Sequence, residues 1–154
     1  MTASVHESRK NYGGCKMNLT KADIENIMIR WSEAWNRHDL DEVMDLFHEE
    51  ALFENWTGGS ARGKETLRRA WTPWFENHGG FQFVTEQFII VEDEQKVIWQ
   101  WHIDWPSMEK GSEGKPERRR GVDIIRFQDG KVVEKITYSK TTIEIDGRPV
   151  KLSP

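Results

Sequence analysis

The chain has 154 residues, of which 36% are hydrophobic and 31% charged, and its formal net charge of −4 comes from interspersed acidic and basic residues. This length suits one domain with its own core, and the charge pattern offers neither a basic face for nucleic acid nor a polybasic segment for a membrane. Because no apolar run reaches membrane-spanning length and the first residues lack the apolar stretch of a signal peptide, we expect a cytoplasmic protein.

The first helix is predicted directly after a polar stretch. Residues 1–18 contain the single Cys15 and show no apolar periodicity, so we expect a flexible arm there and one domain over residues 19–154. Thr20 and Asp23 then have the spacing of a capping box. The apolar residues that follow have helical spacing: Ile24, Ile27, Met28, Trp31, Ala34 and Trp35.

Two more helices are predicted before the sheet. Asp39 can cap a short second helix, and a short strand is expected over residues 51–56. Gly63 leads into a third helix, in which Pro73 predicts a kink or a break. The apolar face of this helix consists of Leu67, Ala70, Trp71, Trp74 and Phe75.

From residue 81 onward the pattern changes to strands. The dipeptide Asp129-Gly130 between alternating apolar residues indicates a hairpin with a type I′ turn, because that turn needs positive φ at both central positions. Three helices followed by a mostly antiparallel sheet define an α+β fold with the helices packed on one face. The expected strands cover residues 81–91, 96–105, 118–127 and 131–143.

Asp123 is the most informative residue of the predicted hairpin. A period of two puts Asp123, Ile125 and Phe127 on one face of a strand that we expect to be central in the sheet. A carboxylate on such an apolar face either has a partner or holds its proton, since desolvation disfavours the charged form. A structural role, with backbone N–H groups or an arginine at 118–120 as partner, and a functional role are both open.

The order of elements is accompanied by a set of short motifs: Trp31-x-x-Ala34-x-Asn36-x-x-Asp39-Leu40-Asp41, Leu46-Phe47, Ala51, Gly63 and the hairpin from Asp123 to Val133. Over roughly residues 19–143 this combination resembles the SnoaL-like family of the nuclear transport factor 2-like superfamily. The resemblance implies a cone of three helices wrapped by a curved sheet, with a deep apolar pocket inside. Function in such folds depends on which polar groups point into the pocket.

The resemblance implies roles for single residues. Asp123 matches the protonated, oxyanion-stabilising aspartate of ketosteroid isomerases and the acid–base aspartate of SnoaL-type polyketide cyclases. Asn55 stands where the isomerase base should be, although an amide cannot abstract a proton. It matches instead the water-positioning asparagine of limonene epoxide hydrolases. Asp104 falls near the position of one of the two catalytic aspartates of those hydrolases, whereas Thr137 stands at the position of the second. None of these reactions therefore keeps its full set of residues in this sequence.

The strand over residues 96–105 has an apolar and a polar face. Two registers are open, which differ in the face that points into the cone. In the preferred register, which the resemblance favours, His102 and Asp104 line the cone near Asp123, and His102 either assists proton transfer or is only a hydrogen-bonded histidine. The tryptophans Trp99, Trp101 and Trp105 would then form an outer stripe, which predicts a homodimer through the outer sheet face. In the other register the tryptophans line the pocket and His102 is solvated.

We therefore expect cofactor-independent acid–base catalysis, of isomerase, cyclase, dehydratase or hydrolase type, on a small hydrophobic substrate. The alternatives are a non-catalytic ligand-binding module and a protein-association module of the same fold. No cofactor and no metal are expected, because neither a phosphate-binding glycine loop nor a metal-specific spacing occurs. The candidate catalytic residues are Asp123, His102, Asp104 and Asn55. The candidate substrate-binding residues are Trp31, Trp35, Phe53, Trp71, Trp74 and Phe75.

Overall fold

The structure is a computed structural model that describes residues 17–152. The flexible arm predicted for residues 1–18, including Cys15, lies outside the described residues except for its last two positions. None of the helices within residues 17–152 is both long and apolar enough to cross a membrane.

Three helices occur where the sequence predicts them: α1 Lys21–Asn36, α2 Leu40–Asp45 and α3 Lys64–Glu76. Thr20 and Asp23 form the reciprocal capping box at the start of α1. The Asp39 side chain caps α2 by accepting a hydrogen bond from the Glu42 backbone N–H. The break predicted at Pro73 is wrong, because α3 continues to Glu76. The proline lies in the last turn, where it removes only one helical hydrogen bond.

The strands form one curled, mixed sheet in the order β2-β1-β6-β5-β4-β3, in which β7 also pairs with β5 and β8 pairs with β7. Strands β1 and β6 are parallel, whereas the other pairs are antiparallel. The bounds are β1 Phe47–Glu54, β2 Ser60–Arg62, β3 Gln82–Val91, β4 Lys96–Pro106, β5 Pro116–Gln128, β6 Lys131–Ser139, β7 Thr142–Ile145 and β8 Arg148–Lys151.

The hairpin predicted at Asp129-Gly130 is confirmed. Asp129 has φ 51° and Gly130 has φ 74°, and Gln128 pairs with Lys131 across the turn. The strand expected over residues 131–143 is two strands, β6 and β7. A second Asp-Gly turn, Asp146-Gly147 with φ 51° and 71°, connects β7 to β8 and was not predicted.

The tryptophan face of β4 lies inside the fold, so the preferred register is wrong and the alternative register is correct. Trp99 and Trp101 are each only 1% exposed, and Trp31 of α1 packs edge-on against Trp99. The reason is apolar burial. A tryptophan buries about 150–250 Å², worth roughly 4–6 kcal/mol at about 25 cal/mol per Å², while burying His102 and Asp104 instead would desolvate polar groups.

Candidate functional site

A cavity of about 220 Å³ lies between the helices and the inner face of the sheet. Its walls come from α1, α3 and five strands, and they are largely aromatic. Met108 and Asn55 lie at the same cavity, and the charged lining residues are Asp123 and Lys135. The aromatic residues that line it are Trp35, Phe53, Trp56, Trp71, Trp74, Phe83, Trp99, Trp101 and Trp105.

Three polar side chains form a hydrogen-bonded cluster on the sheet wall of this cavity. The Thr137 hydroxyl donates to Asp123 Oδ1 at 2.6 Å. Lys135 Nζ donates to the same Oδ1 at 3.2 Å and to Thr137 Oγ1 at 2.8 Å. All three residues are buried, and Asp123 is 1% exposed. The prediction that Asp123 points into an apolar interior is therefore confirmed, and its partners are a lysine and a threonine.

Register explains why these three side chains meet. Asp123 of β5 is directly opposite Thr137 of β6, and Lys135 lies two residues before Thr137 on the same face. A bulge at Val133 shifts the pairing, since Phe127 pairs with Val132 but Arg126 pairs with Glu134. Because a one-residue shift moves every later side chain to the other face, the bulge turns Lys135 and Thr137 inward.

The Lys135 ammonium group is held among aromatic rings. Its Nζ lies 4.8 Å from the centroid of the Phe53 ring and 6.0 Å from that of Trp35. Burial lowers the pKa of Lys135, because desolvation disfavours the charged amine, while the neighbouring Asp123 acts in the opposite direction. Lys135 was not among the site residues predicted from the sequence.

The structure brings some of the predicted site residues to the cavity and leaves others away from it. Asp123 and Asn55 line it, together with Trp35, Phe53, Trp71 and Trp74. Trp31 and Phe75 are buried in the core behind these rings and do not line the cavity. His102 and Asp104 lie on the opposite, outer face of the sheet.

On that outer face, His102 and Asp104 belong to a ladder of ion pairs. Asp104 accepts two hydrogen bonds from Arg118, at 2.7 and 3.0 Å, which lowers the pKa of Asp104. Glu86 accepts two from Arg120, at 3.0 and 2.8 Å, and this contact is the main reason that the pKa of Glu86 falls to about 2. His102 Nδ1 is 3.4 Å from Glu86. These groups stabilise one another across the strands and have no contact with the cavity.

A second buried polar group fixes two walls of the cavity. Glu117 accepts hydrogen bonds from the indole N–H of Trp105 and, at 3.1 Å, from the Ser107 hydroxyl. Arg119 lies 3.4 Å from Glu117, and its guanidinium stacks on Trp56 at 4.9 Å. The suggestion that an arginine at 118–120 neutralises Asp123 is therefore wrong, because Arg119 is paired with Glu117 instead.

Some lining residues carry N–H groups that make no hydrogen bond in the described part of the chain. Within residues 17–152, the indole N–H groups of Trp35 and Trp101 have no acceptor. Asn55 uses its Oδ1 to accept from the Trp56 backbone N–H at 2.7 Å, which leaves its Nδ2 without a partner in the same part of the chain. A mostly apolar ligand with one or two oxygen atoms suits such a lining.

The sequence and the fold correspond to a known class of protein. The family described as the SnoaL-like domain matches residues 28–135 of the sequence, and the chain belongs to that family. The family prediction is confirmed, as is the α+β fold of the nuclear transport factor 2-like type, since the sheet curls around three helices.

Solved structures show the same fold at low sequence identity. The epoxide hydrolase/cyclase-like enzyme SalBIII, described in pyran ring formation in the polyether salinomycin, has TM-score 0.70 and 15% identity, covering 81% of this chain and 97% of SalBIII. A protein of this fold and unknown function from Mesorhizobium loti has TM-score 0.64 and 23% identity, covering 80% and 96%. A putative isomerase from Bacillus subtilis has TM-score 0.64 and 18% identity, covering 78% and 88%. A search of curated proteins gives no significant match.

Proposed function

We propose that this protein is a cofactor-independent acid–base catalyst, of isomerase, cyclase, dehydratase or hydrolase type, that acts on a small, largely apolar substrate. Asp123 is the group that transfers the proton. The observation that carries this proposal is the position of its carboxylate, which is 1% exposed, lines an aromatic cavity and shares Oδ1 with Lys135 and Thr137. SalBIII, with the same fold, is described as an epoxide hydrolase/cyclase-like enzyme.

The cluster suits proton transfer for an electrostatic reason. When Asp123 takes a proton from substrate carbon or hydroxyl, negative charge develops on the substrate oxygen. The Lys135 amine, and the Asn55 amide that lines the same cavity, are fixed donors for that charge. Donors and charges that are already oriented in a site with little water need little reorganisation during the reaction.

The size and charge of the cavity define the substrate further. A volume of about 220 Å³ is below the roughly 300–1,000 Å³ usual for drug-sized ligands. The lining contains one cation and one anion, and these already form an ion pair. A charged ligand would leave an uncompensated buried charge, so the substrate is neutral.

A non-catalytic ligand-binding module is the second candidate. The observation that favours it is the same ion pair, because Lys135 and Thr137 already satisfy Asp123 Oδ1 without any substrate. In that case the cavity would hold a hydrophobic ligand and the polar cluster would only orient it.

We also propose that the protein forms a homodimer through the outer sheet face, although the tryptophan stripe no longer supports it. The support now comes from Val84, Ile89 and Tyr138, which are 44%, 45% and 55% exposed on that face. Light scattering over a concentration series measures the mass directly, and a monomer at all concentrations would contradict this proposal.

The experiment that separates the two candidate functions begins with ligand discovery. A thermal-shift screen of small ketones, epoxides and cyclic alcohols identifies compounds that stabilise the native state by mass action. Hits are then tested for turnover with the wild type and with Asp123→Asn. We expect the variant to keep the thermal shift and to lose turnover.

Asp104→Asn is the matched control, since it makes the same chemical change on the opposite face of the sheet. We expect turnover of that variant to equal the wild type. Ligands that bind the wild type without any reaction would favour the binding module instead.

A further inference from the structure

We propose that Lys135 acts as a covalent nucleophile, whose amine forms an imine with the carbonyl carbon of a small aldehyde or ketone bound in the aromatic cavity. This inference rests on the proposed function, because it names the substrate class of the same site. It assigns to Lys135 a chemistry that acid–base catalysis by Asp123 alone does not require.

The position of the amine is the first argument. Lys135 lines the cavity, and its Nζ lies above the Phe53 ring at 4.8 Å, so a flat ligand among these rings lies within reach of it. Within residues 17–152, Nζ has two hydrogen-bond partners, Thr137 and Asp123. The amine nitrogen has three positions besides its bond to carbon. The two contacts use two of them, which leaves one for a ligand atom.

The protonation state is the second argument. An amine attacks a carbonyl only when it is neutral, and burial lowers the pKa of Lys135 towards that state. Asp123 is adjacent and can take the proton that the amine gives up. Its Oδ2 has no hydrogen-bond partner in the described part of the chain, so that oxygen is free to hold the proton.

Every proton transfer of this reaction is to or from Asp123, so the reaction needs no other acid or base. The Nζ lone pair forms a bond to the carbonyl carbon, and the carbonyl π bond breaks as its oxygen takes the proton held by Asp123. The nitrogen then returns one proton to Asp123. The carbinolamine hydroxyl takes that proton and leaves as water, while the nitrogen lone pair forms the C=N bond. The product is a protonated imine on Lys135 beside an ionised Asp123, which is a charge pair of the same kind as the resting ion pair.

The test uses benzaldehyde as the carbonyl probe and sodium cyanoborohydride, which reduces an imine to a stable secondary amine. The adduct raises the protein mass by that of benzaldehyde less one oxygen atom. Peptide mapping of the wild-type protein then locates it. We expect Lys135 to be modified before the exposed Lys140 at limiting aldehyde, and benzyl alcohol, which has no carbonyl, to slow modification of Lys135 only.

Two variants serve as controls. Lys140→Met should leave the Lys135 adduct unchanged, whereas Lys135→Met should leave only the slow surface modification. Because the wild-type map locates the adduct directly, the test does not depend on the stability of either variant.

Benzaldehyde that raises the melting temperature but leaves Lys135 unmodified would overturn the imine while leaving the proposed acid–base function intact. Modification that merely follows solvent exposure, without any thermal shift, would also overturn it. An adduct at Lys135 in the wild type together with turnover that survives Asp123→Asn would support attack by the Lys135 amine and contradict Asp123 as the group that carries the protons.

Discussion

Asp123 of β5 and Lys135 of β6 form a buried ion pair, with Lys135 Nζ 3.2 Å from Asp123 Oδ1, on the wall of the aromatic cavity. Asp123 is 1% and Lys135 7% exposed, and the Thr137 hydroxyl donates to Asp123 Oδ1 at 2.6 Å. A buried pair of this kind contributes little net stability compared with apolar residues of the same size. Net stability is therefore a weak explanation for the presence of this pair in the cavity.

Removing one partner of the pair should strongly destabilise the protein. Lys135→Met leaves the Asp123 carboxylate buried without its cation, and we expect a loss of about 3–5 kcal/mol in the free energy of unfolding near neutral pH. Urea denaturation measures this loss. The double change Lys135→Met with Asp123→Leu should recover most of it, because no unpaired charge then remains. Equal stabilities of the single and double variants would contradict the prediction.

Lys135 should also make stability depend on pH in the alkaline range. Its pKa is lower in the folded than in the unfolded protein, so the unfolded chain binds more protons between the two values. The contribution of this residue to stability therefore rises as pH increases towards the ordinary lysine pKa of about 10.4. The difference in unfolding free energy between the wild type and a Lys135→Met, Asp123→Leu control, measured from pH 7 to 10, should show this rise. A falling difference would contradict it.

Glu86 should make stability depend on pH in the acid range. Its pKa falls from 4.5 to about 2, chiefly through the hydrogen bonds from Arg120. The stabilisation is therefore fully present above about 4.5 and is lost as the pH falls towards 2. We expect Glu86→Gln to be less stable than the wild type at pH 7, with the difference shrinking steadily below pH 4.5. A difference that is independent of pH would refute the assignment.

Gly121 should be required for the position of Trp101. A Cβ at Gly121 would lie 2.7 Å from the Trp101 ring and would also meet the Tyr138 backbone oxygen. Gly121→Ala should therefore displace a wall of the cavity and cost about 1–3 kcal/mol of stability. It should also weaken the thermal shift given by cavity ligands. Gly59→Ala is the control, since the nearest atom to its Cβ is 3.7 Å away.

Local signals in the sequence predicted much of the fold. The capping box of Thr20 and Asp23 begins α1, and the Asp129-Gly130 turn fixes the start of the β5–β6 pairing. These features depend on residues that are adjacent in sequence, which is why they could be predicted. The same Asp-Gly signal occurs at Asp146-Gly147, although no turn was predicted there.

The candidate site was only partly predictable, because register decides which side chains point inward. If β5 and β6 paired without a bulge from the Asp129-Gly130 turn onward, Lys135 would lie on the outer face of the sheet. The bulge at Val133 turns Lys135 inward instead. No clear sequence signal for a bulge occurs at Arg126, Val133 or Glu134. On β4 both faces carry residues that a pocket could use. The inward face is decided by the packing of Trp99 on Trp31 and of Trp101 on Trp56, and both partners are distant in sequence.

The most direct test of the central claim measures proton transfer itself. A small ketone such as 1-indanone is incubated with the protein in D2O, and deuterium incorporation at its α-carbon is followed by proton NMR. We predict exchange faster than in buffer with the wild type and with Asp104→Asn, and exchange at the buffer rate with Asp123→Asn. Equal exchange by the wild type and Asp123→Asn, or binding of the ketone without any exchange, would contradict the assignment of Asp123 as the catalytic acid and base.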